Sequence, residues 1–487
     1  MDERLETRGF FWSILGFCFQ LGSQAVSLLV LSRLLESEVF GIYAICTITL
    51  GVGQMMFFLG FGPALIQQKG EVHSLLNVAW TGRVIIGFLA FVVLQLLVGS
   101  IVESFDEPSA QLPLRAMLCS LVIVSVNSPA LILLHRKVDL RKQFLVDAPG
   151  FLFRAVVAIC LALLDWGIWA LVLGYVSSFI VQTALSYIVC PWRPAFVVRL
   201  NELKKLYSFS SWLHAKNLTV WLARNLDSIM VGRILGTEML GFYNRAYNLA
   251  MVPDQQSKVV INRVSFPIFC KIHNSNGDLT PVFARTVDLV LIGLVPSFVV
   301  CFLFDKQIVE IILGEGWSIS AGILSLLVGT VVVRSVTECS SPAIRAVGVP
   351  RYEFLLLLIK VSVTAATVYY FTRNMGLIGA GYSVLLGEVT ALPIAFFLVS
   401  RVAKIECRLA LLSLLSGLVA LLATFGCGSF LDLSELDGAV EVVLVSLGAV
   451  SIYLALLVTV ASIFGASTPG TVSTYWRSVK DQIRSNA

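Results

Sequence analysis

The chain is 487 residues long; hydrophobic residues make up 57% of it and charged residues 13%. Soluble domains carry roughly 45–50% apolar and about 25% charged residues, so a string of soluble domains is excluded, and most of this apolar surface must face lipid or other buried helices. A formal charge of +5 suits a membrane protein with basic inner loops and gives no argument for nucleic acid as a partner.

A membrane-crossing helix needs roughly 20 apolar residues. The charged segment Met1 to Arg8 leads into the first apolar run without a small-residue cleavage site, which marks a retained span rather than a signal peptide. In chain order the apolar runs predict fourteen spans, at 9–32, 40–66, 75–99, 112–134, 147–164, 167–189, 208–235, 239–266, 286–304, 319–344, 352–372, 376–400, 409–430 and 439–464. Only Asp165-Trp166-Gly167 separates the fifth from the sixth. The seventh and eighth are the least apolar, which fits helices that face something wet. The ten cysteines are scattered through apolar runs with no CxxC pair, so disulfides and metal clusters are not expected.

Lys and Arg in short loops set orientation. With the N-terminus inside, 21 of the 35 basic residues fall in inner loops and five (Arg33, Arg115, Arg233, Lys306 and Arg373) in outer ones. The reading is therefore a multi-pass protein, N-in and C-in. No connecting loop is long enough for a soluble catalytic domain, and no HExxH, GxxxxGKS or GxSxG pattern occurs. No catalytic residue, metal site or organic cofactor is expected.

The run Arg33-Leu34-Leu35-Glu36-Ser37-Glu38-Val39-Phe40-Gly41-Ile42-Tyr43 returns 200 residues later as Arg233-Ile234-Leu235-Gly236-Thr237-Glu238-Met239-Leu240-Gly241-Phe242-Tyr243, with Arg, Leu, Glu, Gly and Tyr repeated in place. Trp12 and Trp212 match at the same offset. The turn joins spans 1 and 2, then spans 7 and 8, so the repeating unit has six spans. Six is even, so both copies enter the membrane in the same sense. The expected architecture is an all-α polytopic fold of about fourteen spans. Two six-helix lobes (1–200 and 201–405) would be related by a pseudo-two-fold along the membrane normal, with two extra helices and a cytoplasmic tail in 406–487.

An ionisable group at membrane depth costs roughly 2.5–3.5 kcal/mol on insertion scales and usually faces a cavity or a partner. Lobe one carries Arg83 and Arg154 in its spans; lobe two carries many more. On span 7, with Lys216 at 0° and about 100° per residue, Asp227 falls near 20°, Arg224 near 80° and Asn217 near 100°, which gives one polar face. That face fits either a wet wall or a structural Arg224–Asp227 ion pair. Pro253 should kink span 8. In span 10, Arg334 and Glu338 stand at i,i+4, as a salt bridge or as a substrate contact. His214 lies near the inner end of span 7, as an interfacial histidine would.

The runs Leu222-Ala223-Arg224-Asn225-Leu226-Asp227-Ser228 and Gly241-Phe242-Tyr243-Asn244-Arg245-Ala246-Tyr247 resemble the bacterial polysaccharide-transporter family. So do Gly62-Pro63-Ala64-Leu65-Ile66-Gln67 and Pro191-Trp192-Arg193-Pro194. These are lipid-linked oligosaccharide flippases, including exporters of colanic-acid and succinoglycan type, in the multidrug/oligosaccharidyl-lipid/polysaccharide exporter superfamily. The resemblance covers residues 5–465. It implies a cavity lined largely by spans 1, 2, 7 and 8 and rocking alternating access in the bacterial inner membrane. The substrate it implies is an undecaprenyl-diphosphate-linked oligosaccharide, carried for exopolysaccharide, capsule or O-antigen synthesis beside a polysaccharide polymerase or export complex. Lys216, Arg224, Arg245, Arg83 and Arg334 are the candidate contacts to the diphosphate. Asp227, Glu338 and Glu388 are the candidates for coupling to H+ or Na+. A multidrug or cation extruder of the same superfamily would want a cavity richer in carboxylates and aromatics. A membrane-embedded polysaccharide-processing enzyme would want a substantial outer loop.

Overall fold

The computed structural model describes residues 3–57, 73–129, 131, 140–190, 192–428 and 439–463. The Gly62–Gln67 motif, Pro191 and the side chain of His214 lie outside the described residues. Everything described is helix, turn or loop, and the chain divides into two compact units, 1–241 and 242–487. Among the described residues nine helices are long and apolar enough to cross a membrane.

The first unit holds α1 (Glu3–Leu34), α2 (Ser37–Phe57), α3 (His73–Ser104), α4 (Gln111–Val126), α5 (Leu140–Leu163), α6 (Ile168–Val189) and α7 (Leu200–Leu235). On α2 the residues Ile42, Cys46 and Leu50 recur every four positions and form one buried stripe. That stripe meets Leu94 and Val98 of α3 and Leu114, Met117, Leu118 and Leu121 of α4. In lipid an apolar side chain gains little by leaving one apolar medium for another, so close packing at small residues holds helix pairs together. A Cβ on Gly174 of α6 would meet the Arg154 carbonyl and the Ala158 methyl of α5 at 2.9 Å. Gly51 of α2 lies directly under Trp221 of α7, and α7 runs along both α2 and α3.

The repeated turns touch each other. A Cβ on Gly41 would overlap the carbonyl of Thr237, and a Cβ on Gly241 would overlap the carbonyl of Ser37. The two contacts exchange under the 200-residue offset, since 37 and 41 become 237 and 241. Around them Thr237 Oγ1 donates to Glu107 Oε2 at 2.6 Å, and Phe105 covers Gly232.

In the second unit, α8 (Thr237–Lys258, begun in the first) passes through a π-helical stretch, Val259–Ser265, into α9 (Phe266–Asn274). There follow α10 (Thr280–Leu303), α11 (Asp305–Ile312), α12 (Ile319–Glu338), α13 (Ser340–Ala346), α14 (Arg351–Val402), α15 (Arg408–Gly428) and α16 (Ala439–Ile463). Pro253 stays within regular helix; the irregularity expected there comes as the π stretch, just before Pro267. Pro267 has no N–H to give to the preceding turn, so the wider winding ends at a position where a helical hydrogen bond is already missing. The long α14 is two helices meeting at Gly376, whose φ of 63° and ψ of −142° turn the chain back. Thr364 and Gly387 face each other across that hairpin. At the centre of the unit, α10 packs against α12, α15 and α16, with Phe283 edge-on to Phe396 at 5.5 Å and Tyr453 fully buried.

Candidate functional site

The second unit gathers six of its membrane-depth charges into one network. Arg334 Nε of α12 lies 3.0 Å from Glu388 Oε1 of α14, and Lys360 Nζ, from the other half of the α14 hairpin, lies 2.6 Å from Glu388 Oε2. The three side chains are 12%, 7% and 15% exposed for Arg334, Glu388 and Lys360. On α8, Lys258 pairs with Asp254 one turn back. Ser257 and Ser335 share a hydrogen bond of 3.0 Å that ties α8 to α12 beside the charges. Arg334 also donates to Met251 Sδ at 3.8 Å. Glu338 lies within electrostatic range of Lys258, Lys360 and Arg334. Arg334, Lys360 and Lys258 thus face Glu388, Glu338 and Asp254, an electroneutral set drawn from α8, α12 and both halves of α14.

This arrangement corrects one expectation. Among the described residues the ion-pair partner of Arg334 is Glu388, not Glu338 at i,i+4. The guanidinium reaches across to the next helix, where one carboxylate can bridge two cations, rather than along its own helix. Lys360 is a further member, one that periodicity along a single helix does not join to Glu388. Gly376 lies between Lys360 and Glu388, so a hairpin turning there brings the two to within about one helical turn of the same level.

In the first unit Arg83 is held by a neutral group. Arg83 of α3 donates to the Val124 carbonyl at 2.8 Å, and Trp80 Nε1 and Tyr187 Oη both donate to the Val126 carbonyl. These carbonyls lie in the last turn of α4, where Val124 O also accepts from the Asn127 N–H at 3.2 Å, so a cation beside them meets the negative end of the helix dipole. On α7, Lys216 is half-buried, Arg224 is exposed and Asp227 is buried, with its Oδ1 accepting from the Ser228 N–H at 2.8 Å. The polar face read from the helical wheel is therefore not uniformly wet. Arg245 of α8 is half-buried, flanked in sequence by Tyr243 and Tyr247, whose rings stack with centroids 6.3 Å apart.

A family model described as polysaccharide biosynthesis protein matches residues 30–321. Lipopolysaccharide biosynthesis protein WzxC of Escherichia coli is 22% identical over 396 residues, 80% of each chain. Succinoglycan biosynthesis transport protein ExoT of Rhizobium meliloti is 25% identical over 383 residues, 78% of this chain and 77% of its own. Among solved structures, lipid II flippase MurJ in an inward closed conformation superposes with a TM-score of 0.70 at 13% identity, over 93% of this chain and 98% of its own. An inward-facing multidrug resistance MATE family transporter of the MOP superfamily gives 0.57 at 15% identity, over 78% of this chain and 93% of its own. Identities this low carry the fold alone. The family match spans more than half of the chain, and with this all-helical membrane architecture it shows that the chain belongs to the polysaccharide biosynthesis protein family and has the fold of the MOP superfamily.

Proposed function

We propose that this chain is a flippase that moves an undecaprenyl-diphosphate-linked oligosaccharide across the bacterial inner membrane by alternating access. It is a transporter and not an enzyme. A diphosphate and its sugars cannot enter hydrocarbon unaided, because each charge and hydroxyl would lose its hydration without replacement. The observation that carries the reading is the cations at membrane depth in a chain of this family. Two relatives are named for lipopolysaccharide biosynthesis and for succinoglycan transport, which supports a polysaccharide precursor as cargo.

In this reading Lys216, Arg224 and Arg245 meet the diphosphate with charge-assisted hydrogen bonds. Arg83 and Arg334, already held by a carbonyl and a carboxylate, shape the wall behind them. Asp227, Glu338 and Glu388 are the groups through which H+ or Na+ biases the conformation. The nine spans, with α14 counted as two crossings and α7, α8, α15 and α16 added, come to the fourteen of the sequence reading. The reciprocal glycine contact supports two parallel six-helix lobes. A drug or cation extruder would want open carboxylates, whereas Glu388 and Asp254 each hold a cation.

Proteoliposomes containing the purified chain and a fluorescent undecaprenyl-diphosphate oligosaccharide test the function. Leaflet exchange of that lipid, and none of a cationic dye, is expected; dye movement alone would overturn the reading. For topology, a tag in loop 305–318 should report the outside and one at the C-terminus the cytoplasm.

A further inference from the structure

Arg154 has no part in the site described above, and its setting is unusual. It lies on α5, about 14 Å along the helix from Leu163 at the outer end, which is near the middle of a hydrocarbon core about 30 Å thick. Yet its side chain is exposed. The apolar residues of α5 tell which side is lipid. Leu145, Leu152, Phe153, Val156 and Leu163 are 44%, 49%, 48%, 49% and 62% exposed. At about 100° per residue they fall within an arc of about 100°. Arg154 stands about 150° from the middle of that arc. A charged group within a span faces a protein interior or a water-filled cavity, and the wheel puts the opening at Arg154 on the side of α5 away from lipid.

Neighbouring helices hold the guanidinium in place. Arg154 Nη2 donates to Tyr43 Oη of α2 at 2.9 Å, and the group lies over the Tyr175 ring of α6, 5.0 Å from its centroid. Gln54 Nε2 donates to Tyr175 Oη at 3.3 Å, which fixes the ring under the cation. Three helices thus orient one planar cation whose side chain stays exposed. Neither tyrosine neutralises it, in contrast to Arg334 with its carboxylate.

Resting on the flippase reading, we propose that Arg154, Tyr43 and Tyr175 form a subsite for the saccharide part of the cargo, with Arg154 binding a sugar carboxylate such as that of a uronic acid. A guanidinium pinned on a ring offers the paired N–H edge that matches a carboxylate. One cation balances one carboxylate, where a diphosphate needs several. The adjoining Tyr faces suit the C–H face of a pyranose. The subsite would select among repeat units rather than recognise the carrier common to all.

Two lipids test this: an undecaprenyl-diphosphate disaccharide ending in glucuronate, and its glucose analogue. In proteoliposomes the wild-type chain should move the glucuronate lipid faster. Arg154→Gln should slow that lipid about tenfold while moving the glucose lipid within about twofold of wild type, as expected when a single charged hydrogen-bonded contact is lost. Tyr43→Phe keeps the ring and loses only the acceptor, so it should slow the glucuronate lipid alone, by a smaller factor; it is the control should Arg154→Gln not fold. Equal slowing of both lipids by Arg154→Gln would assign the contact to the diphosphate and overturn the proposal, as would no wild-type preference. If the wild-type chain moves neither lipid, the flippase reading falls. Binding of the two lipids to the full chain in nanodiscs then decides Arg154 separately: a glucuronate preference erased by Arg154→Gln upholds the subsite, and equal binding removes it.

Discussion

In the first unit Arg83 leans on a helix-end carbonyl and Arg154 lies between two tyrosines, whereas in the second Arg334, Lys360 and Lys258 each face a carboxylate. Both solutions keep a cation at membrane depth, but they leave different fields behind. A dipole or a π face orients a charge without cancelling it, so Arg83 and Arg154 keep positive potential to offer an anion. A carboxylate cancels the charge it holds, so the second unit exchanges potential for a network whose parts depend on one another.

The sharpest way to break this comparison is to remove the shared carboxylate. Glu388→Ala leaves two buried cations facing each other, and losing one partner of a buried pair costs on the order of 3–5 kcal/mol. Its melting temperature in detergent should fall further than that of any single-residue variant of the first unit, with Glu388→Gln between it and wild type. A melting temperature equal to wild type would mean that the network contributes no stability.

The next largest effect should be on transport alone. Arg224→Ala should reduce flipping about tenfold at unchanged folded yield, and Arg224→Lys should restore part of it, since Lys keeps the charge but loses the planar fork. Normal flipping by Arg224→Ala would remove that arginine from the cargo path.

Arg83→Met should give the reverse pattern. Loss of a cation at a partly buried helix end costs about 1–2 kcal/mol, so stability should drop modestly while flipping per folded molecule stays within about twofold. A selective transport defect would move Arg83 from the frame of α4 into the site.

Asp227→Asn should have the smallest effect on rate and the most informative one. If Asp227 couples transport to an ion, the variant still flips, but no longer responds to an imposed proton or sodium gradient. Slower flipping with a full gradient response leaves Glu338 and Glu388 as the coupling groups.

Much of the fold was legible because lipid imposes a simple rule: a crossing helix must be long and apolar, and the turn between two crossings must not be. The starts of α2 at Ser37 and α6 at Ile168 fall within a few residues of the apolar runs. The kink expected at Pro253 is absent, since that proline sits in regular helix; the π stretch lies six residues further on, just before Pro267. The site was legible residue by residue but not pair by pair. Periodicity groups residues along one helix, so it offered Glu338 to Arg334; the partner that won stands on another helix, where only the Gly376 hairpin could have pointed. Arg154 was counted as a membrane-depth charge, yet its value comes from Tyr43 and Tyr175, which look like ordinary aromatic residues of α2 and α6 until the helices assemble.

The reciprocal contact of Gly41 with Thr237 and Gly241 with Ser37 is built like the interface of a symmetric homodimer, in which each surface supplies both halves of the match. In a homodimer one codon writes both halves, so a substitution always strikes twice. Here each half has its own codon, and the halves have begun to differ: Ser37 faces one glycine and Thr237 the other, and Glu36 stands where the second copy has Gly236. What must stay constant is the absence of a side chain at 41 and 241, since either glycine alone admits the opposing carbonyl. The neighbouring positions are free to specialise, so the joint can keep its reciprocal contact while the residues around it diverge.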